Sequence, residues 1–286
     1  MRNNKIFVLW MIGLVLVLAM LFNVATAATE CTGRNCALNT TLVVGNAVPS
    51  IYAVQQGLEV TPTGMSTGTT YVWFNVSDAN GYGDLNSSSA TCVGYKSGEI
   101  SRNSTSCTPQ NQSGVYATYN CTVTFQYYDA AASDWKWNCS ISDNLPALAS
   151  NATVVFIVNS VNYVQQDAAT FAWSNALVNT ADQEAASPVT LTNGGNQNYG
   201  SASVTAYDAV DAGLDVIPTE DFALSSATGT PAGTSMVNAT ATAITTWFDL
   251  PHGSGSTEQL FAYVDMPSVP TGSYSSTNDW LMAVST

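Results

Sequence analysis

Between Ser77 and Leu85 the chain reads Ser-Asp-Ala-Asn-Gly-Tyr-Gly-Asp-Leu, so Asp78, Asn80 and Asp84 bring three oxygen-bearing side chains into seven residues beside two glycines. Closely spaced oxygen ligands around a glycine bend are what a calcium ion requires, and calcium is the one cofactor this stretch suggests. The match to the helix-loop-helix calcium pattern fails, because Tyr82 stands at the fifth position and Ser89 at the twelfth, where a bidentate glutamate belongs. The competing reading is an Asn-Gly turn with Asx hydrogen bonds joining two strands. A second acidic group, Asp208, Asp211, Asp215, Glu220 and Asp221, is more scattered and reads as solvated loop.

Catalytic chemistry finds little support. His252 is the only histidine, and its Pro-His-Gly-Ser-Gly-Ser context is a loop, not the sharp turn that presents a nucleophile. Nothing in the spacing of Glu59, Glu99 or Glu258 marks a glycosidase pair, and no enzyme is expected. Flat rings on an exposed face would stack on sugars. Alternation sends most aromatics inward and leaves Trp73, Tyr116 and Tyr128 as candidates for carbohydrate binding.

The elements that must position these residues are strands. From Val115 the odd residues run Val, Ala, Tyr, Cys, Val, Phe, Tyr to Tyr127, and the even ones are mostly polar. A second run places Trp135, Trp137, Cys139 and Ile141 on one side and Lys136, Asn138 and Ser140 on the other. Period two means one buried face, and the two runs read as a hairpin pairing Val123 with Trp137. Further strands are expected at 49–54, 69–77, 90–95 and 151–161, the last apolar on both faces as in a central strand. In the second half, strands are expected at 188–192, 199–207, 214–217, 235–247, 259–265 and 280–284, with a turn at Asn193-Gly194-Gly195-Asn196. The fold class is all-β: two antiparallel β-sandwich domains in tandem, 28–160 and 161–286.

Address comes from the first 27 residues. Arg2 and Lys5 precede an uncharged apolar run from Ile6 to Phe22 and a small-residue site at Ala25-Thr26-Ala27, a signal peptide over 1–27. The expected location is secreted or cell surface, with membrane attachment only if the segment stays uncleaved. Six basic and twenty acidic residues give a formal charge of −14, which argues against nucleic acid as a partner. Charged residues are only 9 % of the chain against about a quarter in typical domains, so hydroxyls, amides and sugar must keep it soluble.

Six cysteines in an exported chain imply up to three disulfides. Spacing and the expected hairpin favour Cys31–Cys36, Cys121–Cys139 and Cys92–Cys107, with Cys92 or Cys107 crossing to the hairpin as the alternative. No Cys-x-x-Cys pair occurs, which argues against zinc. Nine glycosylation sequons begin at Asn39, Asn75, Asn86, Asn103, Asn111, Asn120, Asn138, Asn151 and Asn238. Eight of the nine precede residue 160, as do all the cysteines, so the first half reads as the sugar-bearing one.

The stretch from Phe74 to Leu85 is similar to the Val-x-Asp-x-Asn-Gly-x-x-Asp-Leu signature of immunoglobulin-like domains in archaeal exported cell-surface proteins. Val189 to Asn196, and Gly272 to Ser276 followed by Trp280, resemble modules of the same group. The resemblance implies immunoglobulin-like β-sandwich modules of a sheath, lattice, filament or adhesin, and it carries over no catalytic or ligand residue. The expectation is therefore a structural or adhesive surface glycoprotein that associates with itself or with other surface proteins. The alternative is a calcium-dependent carbohydrate- or cell-binding module.

Overall fold

Alternation of apolar and polar residues dominates the first half, which forms seven antiparallel strands. They are β1 (Ser50–Gln55), β2 (Thr67–Ser77), β3 (Leu85–Tyr95), β4 (Arg102–Ser113), β5 (Tyr116–Gln126), β6 (Ala132–Asp143) and β7 (Leu148–Val158). The computed structural model describes residues 41–55, 59–231 and 233–286. The expected signal segment, Cys31, Cys36 and the sequon at Asn39 lie outside the described residues.

Hydrogen bonding orders the strands β1-β2-β5-β4-β3-β6-β7. Strand β4 turns the corner: Arg102 and Asn103 pair with Gly94 and Val93 of β3, whereas Ser104 to Ser113 pair with β5. The ladder folds back on itself there. Phe125 of β5 meets Trp135, Trp137 and Phe156 of β6 and β7 edge-on, with ring centroids 5.3, 6.0 and 5.5 Å away. In a flat sheet at about 4.8 Å per strand, β5 and β6 would stand about 14 Å apart. One layer is therefore β1-β2-β5-β4, and the other is β3-β6-β7. Val60, just after β1, crosses to form a parallel bridge with Val158 of β7.

The inward faces match the period-two reading. Val72, Phe74 and Val76, then Ala117 to Phe125 at odd positions, then Trp135, Trp137, Cys139 and Ile141 are all buried in one core. Full burial of a side chain such as Phe125 contributes roughly 1.5–3 kcal/mol. Gly94 makes room for the rings, since a Cβ there would lie 2.7 Å from Phe125 Cζ.

Pairing differs from the sequence reading in three ways. Strands β5 and β6 are not a hairpin: β5 pairs with β2 and β4, and β6 with β3 and β7, because their connection passes from one layer to the other. Strand β7 ends the ladder and is not central, which leaves Val155 46 % exposed. Strand β4 was not expected at all. Its sequence is polar on both faces, it carries Pro109, and its ladder slips at Pro109.

Shorter strands make up the second half: β8 (Val164–Gln166), β9 (Thr180–Glu184), β10 (Val189–Asn193), β11 (Ser201–Thr205), β12 (Ala209–Val210), β13 (Val216–Ile217), β14 (Phe222–Ser225), β15 (Thr234–Ser235), β16 (Thr242–Ala243), β17 (Thr257–Met266), β18 (Ser275–Ser276) and β19 (Leu281–Ser285). Three antiparallel sheets result: β15-β14-β17-β10-β8 with β9 also on β17, β16-β11-β19, and β13-β12-β18. The strand expected over 235–247 is absent, and only the two-residue β15 and β16 fall within or beside it. A second core, including Leu191, Phe222, Leu224, Ile244, Leu250 and Leu260, packs separately from the first. The Asn193–Asn196 turn is buried where the halves meet. Met65 N–H donates to Gly194 O, Gly194 N–H donates to Tyr163 O, and the Asn196 side chain bonds Val161 N–H and Asn159 O. Among the described residues no helix is long and apolar enough to cross a membrane.

Candidate cation site

Strand β2 alternates inward through Val72, Phe74 and Val76, and the next residue on that face is Asp78. Strand β6 alternates inward through Trp137, Cys139 and Ile141, and the next on that face is Asp143. Both carboxylates are only 1 % exposed as a result. The two layers bring these strand ends together, and Asp84 reaches the same point from the one-turn 3-10 segment Tyr82–Asp84 that leads into β3. One carboxylate oxygen from each of Asp78, Asp84 and Asp143 lies within 4.8 Å of the others.

The loops around the cluster are held by the backbone. Asp78 Oδ1 accepts from Asn80 N–H at 2.8 Å, and Gly81 N–H donates to Asp78 O, an Asx-type turn in which Gly81 takes φ 104°. Asp78 N–H and Tyr82 N–H donate to Val115 O and Gly114 O of the β4–β5 turn. On the opposite side Asp143 Oδ1 accepts from Leu145 N–H and Ala147 N–H, and Oδ2 accepts from Asn46 Nδ2 at 2.8 Å. The Asn46 amide, with the Ala147 and Leu145 N–H groups, holds the Asp143 carboxyl below the usual aspartate range. Asn144 N–H donates to Asp84 O.

One atom stands out from this satisfied frame. Asp78 Oδ2 is buried and has no hydrogen-bond partner. Among the described residues the ion pairs engage Asp134 and Asp129, and His252 lies against Glu99, so no cationic side chain there pairs with the cluster.

Of the residues singled out in the sequence, Asp78 and Asp84 do converge. Asn80 directs its Oδ1 to Ala47 N–H at 2.6 Å and so anchors the segment ahead of β1. Asp143 was missed, although its place on the inward face of β6 was legible as a carboxylate at a core position. In the second acidic group, Asp208 Oδ1 caps Thr219 N–H and Oγ1 while Oδ2 accepts from Asn238 Nδ2, and Asp211 Oδ1 accepts from Gly213 and Asp215 N–H. Two of its carboxylates thus shape loops instead of merely facing solvent.

Trp73 and Tyr116 do lie on the outer face of β2 and β5, where Tyr71 and Tyr52 join them. Tyr128 is engaged under the Arg102 guanidinium, 5.5 Å from its ring centroid. His252 sits where the halves meet, with Nε2 3.4 Å from Glu99 Oε1 and Nδ1 2.7 Å from Asn198 Oδ1.

Both disulfides among the described residues follow the alternative pairing. Cys92 of β3 bonds Cys139 of β6, and Cys107 of β4 bonds Cys121 of β5. The expected Cys121–Cys139 and Cys92–Cys107 bonds are ruled out because β5 and β6 lie in different layers, each beside its own partner strand. Disulfides persist in oxidising compartments. None of the eight described sequon asparagines is buried. Asn103, Asn111 and Asn238 are exposed, and Asn75, Asn86, Asn120, Asn138 and Asn151 are half-buried.

No family model matches the chain, and no curated protein matches it in sequence.

Proposed function

We propose that this chain is a secreted cell-surface glycoprotein with a structural or adhesive role, of the kind its Asp-x-Asn-Gly stretch resembles, that associates with copies of itself. The layers β1-β2-β5-β4 and β3-β6-β7 follow the strand order of a constant-type immunoglobulin sandwich, which supports an immunoglobulin-like first module. Two cross-strand disulfides and the outward sequons suit an oxidising, sugar-bearing exterior.

The observation that carries self-association is Leu42-Val43-Val44, which lies outside any strand and is 82, 86 and 73 % exposed. Three successive exposed apolar side chains favour a protein cover, and a segment rich in β-branched residues is suited to adding to a sheet edge of a second copy. The last strand, β19, pairs with β11 of its own chain and stands at the edge of its sheet, so its other side offers a second route for strand addition.

Negative-stain electron microscopy and light scattering of the secreted, glycosylated protein test the reading. Filaments, sheets or discrete oligomers are expected, and replacing Leu42, Val43 and Val44 by serine should return monomers. Wild-type protein that stays monomeric at high concentration would refute self-association.

A further inference from the structure

We propose that Asp78, Asp84 and Asp143 form a divalent-cation site, selective for calcium, that clamps the two layers of the first sandwich. The inference stands on geometry and does not rest on the functional reading above.

Three carboxylates from two layers share one point, and two of them are buried at core positions. Burying one ionised carboxylate is costly without a partner, and burying it beside two others is more so. Nature's usual answers are a cationic side chain, a full set of hydrogen bonds or a metal ion. Among the described residues no cationic side chain pairs with the cluster. Asp143 has its hydrogen bonds, but Asp78, whose carboxylate contributes one oxygen to the cluster, has a buried Oδ2 with no partner among the described residues. A buried oxygen of this kind requires an explanation, and an ion is the one its neighbours supply.

The donor set identifies the ion. All three ligands are hard anionic oxygens, with no nitrogen or sulfur donor in the cluster, which disfavours zinc and copper. Oxygens around one calcium ion lie about 2.3–2.6 Å from it, so any two stand no more than about 5.2 Å apart, and carboxylate oxygens within 4.8 Å of one another can share one such ion. Magnesium at about 2.0–2.1 Å would draw its ligands closer and demands a more regular octahedron. Asp84 is only half-buried, which leaves the ion a path from solvent and room for coordinated water. Through these ligands the ion would join the end of β2, the start of β3 and the end of β6, and through Asn46 on Asp143 it would reach the segment ahead of β1.

The test uses the secreted full chain, stripped with chelator and titrated with calcium alone. Extracellular sites of this class bind at about 0.1–1 mM. At tenfold excess over the dissociation constant the melting temperature should rise by about 3–6 °C, with a smaller rise in equal magnesium. Terbium luminescence gives a second readout, sensitised by Tyr82 inside the loop. Asp84→Asn should lose both signals, whereas Asp211→Asn in the other acidic group should keep them. In chelator Asp84→Asn should melt at or above wild type, because one of three unneutralised charges is gone. That sign separates a metal ligand from a merely structural aspartate. No calcium-dependent rise and no terbium signal in wild type, an equal response to magnesium, or a full response surviving in Asp84→Asn would overturn the site.

Discussion

Replacing Cys92 and Cys139 together by alanine should destabilise the protein more than replacing Cys107 and Cys121, although both bonds join neighbouring strands. In the chain-entropy account a disulfide acts by restricting the unfolded chain, by about 2.1 + 1.5R ln n cal/mol/K for a loop of n residues. The separation of 47 residues between Cys92 and Cys139 gives about 4 kcal/mol at 25 °C, and the 14 between Cys107 and Cys121 give about 3 kcal/mol. Packing widens the gap. Cys92 and Cys139 are both fully buried, so their truncation also leaves a void in the core, whereas Cys107 is partly exposed. Urea unfolding followed by the fluorescence of buried Trp135 and Trp137 would resolve a difference of about 1 kcal/mol or more between the two double variants. Non-reducing peptide mapping must also recover the Cys92–Cys139 and Cys107–Cys121 peptides. A Cys121–Cys139 peptide, or a larger loss from removing the shorter loop, would refute the reasoning.

Two further outcomes follow from charged groups. Asp129→Ala should cost about 3 kcal/mol in urea unfolding, because Asp129 is 1 % exposed, is paired with Arg102 and accepts from Gln126 N–H. Asp134→Ala, whose carboxylate pairs with Lys96 but is 66 % exposed, should leave the midpoint unchanged. Glu184 is held below its ordinary value of 4.5 by Gly229 N–H, then by the Thr228 and Tyr263 hydroxyls. Its folded pKa is depressed, so its contribution is present above about pH 4.5 and fades as pH falls through the lower folded value. Glu184→Gln should therefore melt below wild type at pH 7 and converge with it as pH falls through the lower folded value, and a gap that persists in stronger acid would contradict this.

Much of the first half was legible because its strands are long and half-buried. Period two placed Phe74, Tyr119, Phe125, Trp135 and Trp137 inside, and the structure buries each of them. Pairing was not legible, because alternation says which way a side chain faces and not which strand lies beside it. Two inward cysteines on successive strands therefore suggested a hairpin bond that the layer crossing forbids. Strand β4 carried no alternation, and it pairs through a polar backbone with most of its side chains in solvent. In the second half, strands of two to five residues dominate and leave little period to read. The Asn193-Gly194-Gly195-Asn196 turn was read from its residue types, but its burial was not. A Cβ on Gly194 would stand 2.6 Å from Met65 Sδ, and that closeness belongs to the packing of the two halves.

Two of the buried carboxylates of the first half, Asp78 and Asp129, sit where the chain changes layer. Strand β2 leaves one layer for β3 in the other through Asp78 to Asp84, and those residues meet Asp143 at the far end of β6. Strand β3 returns to the first layer through Arg102 at the head of β4, while β5 leaves it through Asp129, and these two residues form a buried pair. The Arg102 guanidinium is held above its ordinary pKa, chiefly by the Asp129 hydrogen bonds. Within a layer the backbone ladder binds strand to strand, but between layers it does so only at the β4 corner and the Val60–Val158 bridge, and the rest is apolar packing, which is non-directional. A charge pair at one crossing and a cation at another would fix the register between layers, a directional task the core cannot perform alone. On that argument, removing calcium should loosen the β2–β3 crossing and the β6–β7 turn together, while leaving the Arg102–Asp129 crossing protected. Hydrogen exchange with and without chelator would show protection lost at both acidic-cluster segments, and loss at only one of them would break the link between the layers on which the argument depends.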